Sequence, residues 1–355
     1  MSLVFLISGS AAGQDLYDVS ILLPKPDSRR AAEFAAYLRP DFSPSLLEGF
    51  GTEILPAIQS NAATFEQLRA VAFRLDLLNQ EFRIVWQPFA ADGSKGALDA
   101  GVHTIYSTSR EVLAGLAREL HRLRGSDAPS VVSESEFELN PIHPELRAGL
   151  ASAFYPQFLK LIAQVMRPES LARIAITGVR GNNNGWIFQA LDRAAGPSRS
   201  FTRAKIPKTL DFDGASLTEQ RLVNFKPDRA YRVGMFLDEV FGDQGIGDGM
   251  PVERLFFKDS DEFVATRSRV QLNQVATRLL KLNQPRMASP KNTDCFSCHA
   301  VDGAVSLIDR TTGATSLRAQ PRIPGNLRMF GYFGDQPAVA KRTVLDSIES
   351  LRFVQ

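Results

Sequence analysis

The residues with the most specific chemistry in this chain are its two cysteines and the histidine that follows them. The sequence reads Cys295-Phe296-Ser297-Cys298-His299, and it contains two cysteines and four histidines in all. Two thiols at this spacing can add across the two vinyl groups of one porphyrin, and the adjacent imidazole can ligate its iron. The motif therefore predicts covalent attachment of one haem c per chain.

Other uses of this pair of thiols remain open. A structural zinc site needs four ligands, and only Cys295, Cys298 and His299 are local. A redox-active C-x-x-C usually follows a strand and begins a helix, whereas the polar segment 287–294 precedes this one. A plain disulfide between the two cysteines is the third alternative.

The C-terminal segment that carries the motif, residues 267–355, resembles a single-haem cytochrome c domain. A helix is expected before the motif, a loop after it, and a closing helix from Ala338 to Leu351. The segment Pro324-Gly325-Asn326-Leu327 is similar to the Gly-Pro-x-Leu turn of that family, in which the proline carbonyl orients the proximal histidine.

This resemblance implies a role for each matching residue. Cys295 and Cys298 would be the thioether anchors, His299 the proximal iron ligand, and Pro324 a hydrogen-bond acceptor for the His299 ring. The resemblance also implies electron transfer to a redox partner protein.

The distal side of the iron is less conventional. Met329 is the only methionine after the motif, so it is the first candidate for the distal ligand. The alternatives are Met287, a histidine of the larger domain, or an open position. Those histidines are His103, His121 and His143. An open position would instead indicate a peroxidase-like haem enzyme or a sensor of small ligands.

Three arginines surround the predicted haem loop. Arg318, Arg322 and Arg328 could pair with the haem propionates, which need cationic or hydrogen-bonding partners when partly buried. Ordinary surface charge is the competing interpretation.

Composition limits the remaining function classes. The chain has 355 residues, with 41 Lys and Arg against 39 Asp and Glu, and a net charge of +2. Such a balance argues against a dedicated nucleic-acid-binding protein. The sequence has no run of eighteen apolar residues, so we expect no membrane-spanning helix.

The first thirteen residues resemble a shortened signal segment. Apolar residues from Leu3 to Ile7 precede small residues at which a signal peptidase could cut, although no basic residue comes before them. Covalent haem attachment occurs outside the cytoplasm, so we expect a periplasmic or secreted protein.

The chain between these segments predicts an α+β fold, with helices and antiparallel strands in residues 14–266 and a boundary near 125–135. Strands are expected at Glu81–Phe89, Gly101–Tyr106 and Leu171–Val179, and a hairpin turn at Asn184-Gly185. Helices are expected at Asn61–Leu78, Thr108–Arg124, Pro144–Met166 and Ser268–Leu282, and a less certain strand at Glu262–Thr266. A small, mostly helical haem domain would begin at residue 267. The sequence thus favours an exported c-type cytochrome; the alternative without haem is a binding protein with a non-haem Cys-x-x-Cys-His motif.

Overall fold

A computed structural model describes most of the chain. The described residues are 15–49, 65–89, 97, 100–124, 134–180, 185–195, 200–207, 216–217, 219–222, 260–289, 292–293, 295–313 and 329–354. The predicted signal segment and the boundary predicted near 125–135 fall largely or wholly outside these ranges.

The described strands are twelve in number. They are β1 (Ser20–Leu22), β2 (Leu68–Asp76), β3 (Glu81–Pro88), β4 (Ala100–Ser107), β5 (Leu171–Arg180), β6 (Gly185–Arg193), β7 (Phe201–Arg203), β8 (Ile206–Pro207), β9 (Ser216–Leu217), β10 (Glu219–Leu222), β11 (Phe330–Phe333) and β12 (Gln336–Val339).

The described α-helices are eight in number. They are α1 (Ala31–Ala36), α2 (Arg110–Arg124), α3 (Glu134–Leu139), α4 (Phe154–Ile162), α5 (Ser260–Thr266), α6 (Arg269–Leu282), α7 (Cys295–Thr312) and α8 (Lys341–Leu351).

One eight-stranded antiparallel sheet organises the molecule. Its strands run in the order β1-β2-β3-β4-β5-β6-β10, and β7 also pairs with β6. β4 lies in the middle and is hydrogen-bonded to β3 on one side and to β5 on the other. The predicted α+β class is confirmed.

The two faces of this sheet are covered by different elements. Alternate side chains of β2 to β5 join α2 and α4 in a large apolar cluster that includes Phe73, Phe82 and Phe158. We call this side the core face. α7, α8 and the β11–β12 hairpin lie over the opposite side, which we call the motif face because it meets the helix that begins at Cys295.

Several predicted elements are correct. β3, β4, α2 and α6 lie where the sequence predicts them, and β5 pairs with β6 as the predicted hairpin. The turn residue Asn184 lies outside the described residues. The helix predicted from Pro144 begins later, at Phe154, after a short 3-10 turn.

Two element predictions are wrong. The predicted helix over Asn61–Leu78 contains β2, in which all nine residues are buried. Since β2 lies inside the sheet with both faces covered, it lacks the alternation of polar and apolar residues that marks a half-exposed strand. Glu262–Thr266 is helical, because Phe263 and Val264 pack on the cluster between α6 and α7.

The C-terminal segment is tied to the sheet. α8 follows β12 and places Ser347 within 2.6 Å of Ser20, oxygen to oxygen. The Tyr332 hydroxyl donates a hydrogen bond to the Leu23 carbonyl oxygen at 2.6 Å. The domain boundary predicted at residue 267 stays a prediction, and these contacts cross it.

None of the described helices is both long enough and apolar enough to cross a membrane.

Candidate haem site

Helix α7 carries the motif and owes its length to an apolar stripe. Ala300, Val301, Ala304, Val305 and Ile308 are buried and pack against Leu272, Val275, Ala276 and Leu279 of α6. This spacing of three and four residues keeps the side chains on one side of a helix. The motif therefore begins an 18-residue helix, and the loop predicted after it is wrong.

The three motif residues occupy the first turns of α7. Cys295, Cys298 and His299 stand at positions i, i+3 and i+4, which share one face of a helix. All three are half-buried, and the two cysteines are not joined in a disulfide. The donor groups that the sequence predicts are thus gathered on one helical face.

A buried carboxylate fixes α7 against its neighbours. Asp302 lies three residues after His299 and accepts hydrogen bonds from the Asn283 side chain at 2.8 Å and the Lys341 backbone N–H at 2.7 Å. Burial raises the pKa of Asp302, although Asn283 and Lys341 oppose the shift. One side chain therefore joins α7 to the end of α6 and to the start of α8.

The His299 ring lies over the motif face of the sheet. Its centroid is 4.9 Å from that of Phe188 on β6, with the two rings tilted by 55°. A small cavity of about 20 Å³ lies beside the ring. The residues that line it are Val85, Gln87, Ala100, Gly101, His103, Thr177, His299, Met329, Phe330 and Gly331.

His103 lies in the floor of this cavity, on the central strand β4. Val85 and Ala175 are its direct neighbours on β3 and β5. Enclosure by the protein, together with the charges of His299, Arg83 and Arg74, lowers the pKa of His103 to about 3. The ring is therefore neutral at neutral pH, and its nitrogen lone pair is available for coordination.

Met329 lines the same cavity. Its carbonyl oxygen accepts hydrogen bonds from the Ala340 backbone N–H and the Thr343 hydroxyl, each at 2.8 Å. Gln87 fixes the strand that follows: it donates to the Tyr332 carbonyl oxygen at 2.9 Å and accepts from the Tyr332 backbone N–H at 2.7 Å.

Glycine is required next to that glutamine. A Cβ on Gly331 would lie 2.7 Å from the Gln87 side-chain oxygen, which is closer than a carbon atom can approach. Since Gln87 is held by two hydrogen bonds, it cannot move away without losing them. The close approach keeps β11 against the sheet beside Met329.

A charged cluster lies beside the cavity on the same face. Arg74 pairs with Asp76 at 3.0 Å and with Asp346 of α8 at 2.6 Å, and Arg83 pairs with Glu81 at 2.5 Å. Burial opposes ionisation of Asp76, yet Arg83 and Arg74 keep its pKa below the usual range. Paired charges thus join the sheet to α8.

Another arginine lies near the first cysteine. Arg173 on β5 donates two hydrogen bonds to Asp192, at 2.5 and 2.8 Å. These hydrogen bonds raise the pKa of Arg173 against the effect of burial, and the charges of Asp192 and Cys295 add to the rise. The face next to Cys295 therefore carries a fixed cation.

The structure brings some of the predicted site residues together. Cys295, Cys298 and His299 share one helical face, and Met329 lines the cavity with His299. Arg318, Arg322, Pro324 and Arg328 lie outside the described residues.

The other two candidate histidines lie elsewhere. The His121 ring lies 3.2 Å from an Asp18 carboxylate oxygen, and His143 is buried against Phe154 with ring centroids 4.3 Å apart. The sequence indicates His103 only as one of several possible iron ligands from the larger domain. Its place opposite His299 depends on strand pairing that no local pattern shows.

Comparisons with known proteins add no family. No protein-family profile, curated protein or solved structure matches this chain. Within the described ranges, no three His, Cys, Asp or Glu side chains come together as a metal site.

The donor types are those of a covalently attached haem, whereas the cavity is far smaller than a porphyrin. Two thiols and an imidazole share a face of α7, while His103 and Met329 face the same cavity. Gly101 leaves space beside His103, since a Cβ there would lie 3.8 Å from the His103 Nε2 atom. The cavity itself has room for about one water molecule. We therefore expect that attachment of a porphyrin moves the His299 ring away from the sheet.

Proposed function

We propose that this protein is an exported c-type cytochrome that carries one covalent haem and transfers electrons. Cys295 and Cys298 would hold the porphyrin through two thioether bonds, and His299 would ligate its iron. A haem held there would supply a one-electron couple. The redox partner would be another protein.

The observation that carries this proposal is the shared face of α7. The two thiols and the imidazole occupy positions i, i+3 and i+4 of one helix, and the His299 ring lies at a cavity with two further ligand types, His103 and Met329. Asp302 holds the helix so that this face meets the sheet. Phe188 keeps water from one side of the His299 ring.

Haem loading tests the proposal directly. The full chain is produced in cells that contain a cytochrome c maturation system, beside a known cytochrome c as the positive control. We expect intact mass to show one haem per chain and haem staining to survive denaturing electrophoresis. The matched control is Cys295→Ser with Cys298→Ser, which should lose the covalent haem. A wild-type chain without porphyrin, in cells that mature the positive control, would overturn the proposal.

Export is tested on the same material. We expect N-terminal sequencing of the haem-loaded protein from its native source to begin between residues 13 and 15. An intact Met1 on haem-loaded protein from that source would contradict cleavage of a signal segment.

A second candidate function is dithiol–disulfide exchange. It is favoured by the position of Cys295 at the first residue of a helix and by the charge of Arg173 beside it, since both stabilise a thiolate. Oxidation of the pair would release two electrons and two protons to a partner disulfide. Titration of the haem-free chain with a glutathione redox buffer would show a reversible two-electron couple if this function holds.

A further inference from the structure

An open cleft of about 610 Å³ lies at one end of the central sheet. It is lined by the connection from β4 to α2, the first turn of α2, the connection from α4 to β5, and the adjoining ends of β5 and β6. Sites for small molecules in proteins are usually clefts of roughly 300–1,000 Å³. This cleft shares no lining residue with the small cavity beside His299. We call it the sheet-end cleft.

A β-bulge shapes the sheet where the cleft lies. Ile105 on β4 pairs with Arg173 on β5, and Tyr106 pairs with Leu171, so Ala172 is an extra residue on β5. A bulge bends its strand and leaves the extra residue out of the hydrogen-bonded ladder, and bulges are frequent next to binding and active sites. Ala172 itself lines the sheet-end cleft. Strand pairing, and not only the connecting segments, therefore shapes the cleft.

Two arginines bring positive charge to the sheet-end cleft. Arg193 donates hydrogen bonds from Nη1 to the carbonyl oxygens of Pro168, at 3.0 Å, and of Glu169, which hold its side chain against the turn before β5. Its Nε and Nη2 groups, and the whole guanidinium group of Arg167, have no hydrogen-bond or ion-pair partner among the described residues. Such N–H groups can bind a carboxylate or a phosphate through paired hydrogen bonds.

The ionised side chains of the sheet-end cleft match a single negative charge. Two of the described lining residues are arginines and one, Glu169, is acidic, so these charges sum to +1 at neutral pH. A carboxylate carries one negative charge, whereas a phosphate monoester carries about 1.5 to 2. The balance therefore favours a monocarboxylate.

The sheet-end cleft also has an apolar wall. Val112, in the first turn of α2, is 47% exposed and is one of four large apolar side chains that are exposed within the described ranges. Val165 and Leu171 also line the cleft, and both belong to the apolar cluster of the core face. An apolar group that covers Val112 would remove apolar surface from water, which is favourable.

We propose that the sheet-end cleft binds a small monocarboxylate, whose charged group is held by Arg167 and Arg193 and whose apolar part covers Val112. This site goes beyond the proposed function and does not depend on it, because none of its residues belongs to the Cys-x-x-Cys-His motif. The protein would then bind a small organic acid at a place separate from the motif.

Calorimetric titration of the full chain with 4-phenylbutanoate tests the proposal. We expect saturable binding of one molecule per chain at low ionic strength. Two matched probes each lack one half of the ligand: 4-phenylbutanol has no charge, and acetate has no apolar group. Both should bind at least about tenfold more weakly. Absence of saturable binding by 4-phenylbutanoate, or equal binding of the uncharged alcohol, would overturn the proposal.

Three variants locate the binding. Arg167→Ala should weaken the binding of 4-phenylbutanoate about tenfold, and Glu169→Gln should strengthen it about twofold because a like charge is removed. Arg122→Ala is the matched control, since Arg122 is an exposed arginine of α2 that pairs with Glu119 and does not line the cleft. Unchanged affinity in both cleft variants would place the binding elsewhere and overturn the proposal.

Two further measurements separate this site from other proposals. Tighter binding of 4-phenylbutyl phosphate than of 4-phenylbutanoate would overturn the assignment to a monocarboxylate. The chain with Cys295→Ser and Cys298→Ser should bind 4-phenylbutanoate as tightly as the wild type. A chain that fails to acquire haem but binds the acid would thus contradict only the proposed function, and a haem-loaded chain that does not bind the acid would contradict only this inference.

Discussion

The two faces of the central sheet differ in what they bury. The core face is covered by α2 and α4 and is filled with aromatic rings, among which Phe73 contacts Phe158 at 4.8 Å between centroids. The motif face carries arginines, carboxylates and His103, and part of it is only half-buried. Apolar burial on one face can offset the cost of ordering polar groups on the other.

This division separates stability from chemistry. Substitutions on the core face should change the free energy of unfolding and leave the haem spectrum alone. Substitutions at the cavity should shift the haem spectrum and lower the free energy of unfolding by less. Each prediction below tests that division on the full chain, and the haem absorption bands are the second readout where the proposed haem is bound.

Phe158→Ala should have the largest effect. Phe158 is fully buried on the core face, so its removal should cost about 3–5 kcal/mol of unfolding free energy through lost burial and a residual cavity. Urea denaturation followed by circular dichroism measures the loss, and the haem absorption bands should not shift. Phe188→Leu is the matched control on the motif face, where we expect a smaller loss and a shifted haem spectrum. Equal spectral shifts in both variants would contradict the division.

Asp346→Asn should come next. Asp346 is buried between Arg74, at 2.6 Å, and Arg342, at 2.7 Å, so its neutralisation leaves two buried cations without this partner. We expect a loss of about 3 kcal/mol in urea denaturation. Asp335→Asn is the control, because its pair with Lys25 is exposed and should be worth less than about 1 kcal/mol. Similarly small losses in both variants would show that the buried charged cluster adds little to the free energy of unfolding.

Acid should destabilise the protein through His143, which lies fully buried beside the core face. Burial, with the charges of Arg124 and Arg147, lowers its pKa from 6.5 to about 3. Below pH 6.5 the unfolded chain gains a proton on His143 that the folded chain does not. This group alone should therefore lower the free energy of unfolding by about 1.4 kcal/mol per pH unit between pH 6.5 and pH 3.

His143→Phe isolates that contribution. Phenylalanine keeps the stacking on Phe154 and removes both ring nitrogens, neither of which has a hydrogen-bond partner among the described residues. The variant should match or exceed wild-type stability at pH 7 and should lose less stability in urea denaturation at pH 4.5. An unchanged dependence on pH would assign the acid sensitivity to other groups.

The same two faces explain what could be read from the sequence. β3, β5 and α2 follow from local periodicity because each buries one side against the core face. Local periodicity does not predict β2, because paired charges let Arg74 and Asp76 lie inside a strand that is buried on both faces. Similarly, α8 buries Arg342, Asp346 and Glu349, whose residue types normally indicate a solvated surface.

One part of the candidate site can likewise be predicted from the sequence, and the other part cannot. Cys295, Cys298 and His299 are adjacent in sequence, so their chemistry is visible without a structure. The place of His103 opposite them depends on the pairing of β4 with β3 and β5. A long-range pairing of this kind leaves no local pattern in the chain.

Ser268→Ala should have the smallest effect, and it tests whether the helices on the motif face depend on local hydrogen bonds. The Ser268 hydroxyl accepts a hydrogen bond from the Gln271 backbone N–H at 3.3 Å, and the Gln271 side chain accepts one from the Ser268 backbone N–H at 3.0 Å. Loss of this cap should cost about 1 kcal/mol in urea denaturation. Ser268→Asp keeps an acceptor and should restore most of the loss. Because apolar packing and the Asp302 hydrogen bond to Asn283 hold α7 on α6 far from Ser268, the haem spectrum should not change in either variant. A shifted spectrum in Ser268→Ala alone would show that the start of α6 helps to position His299.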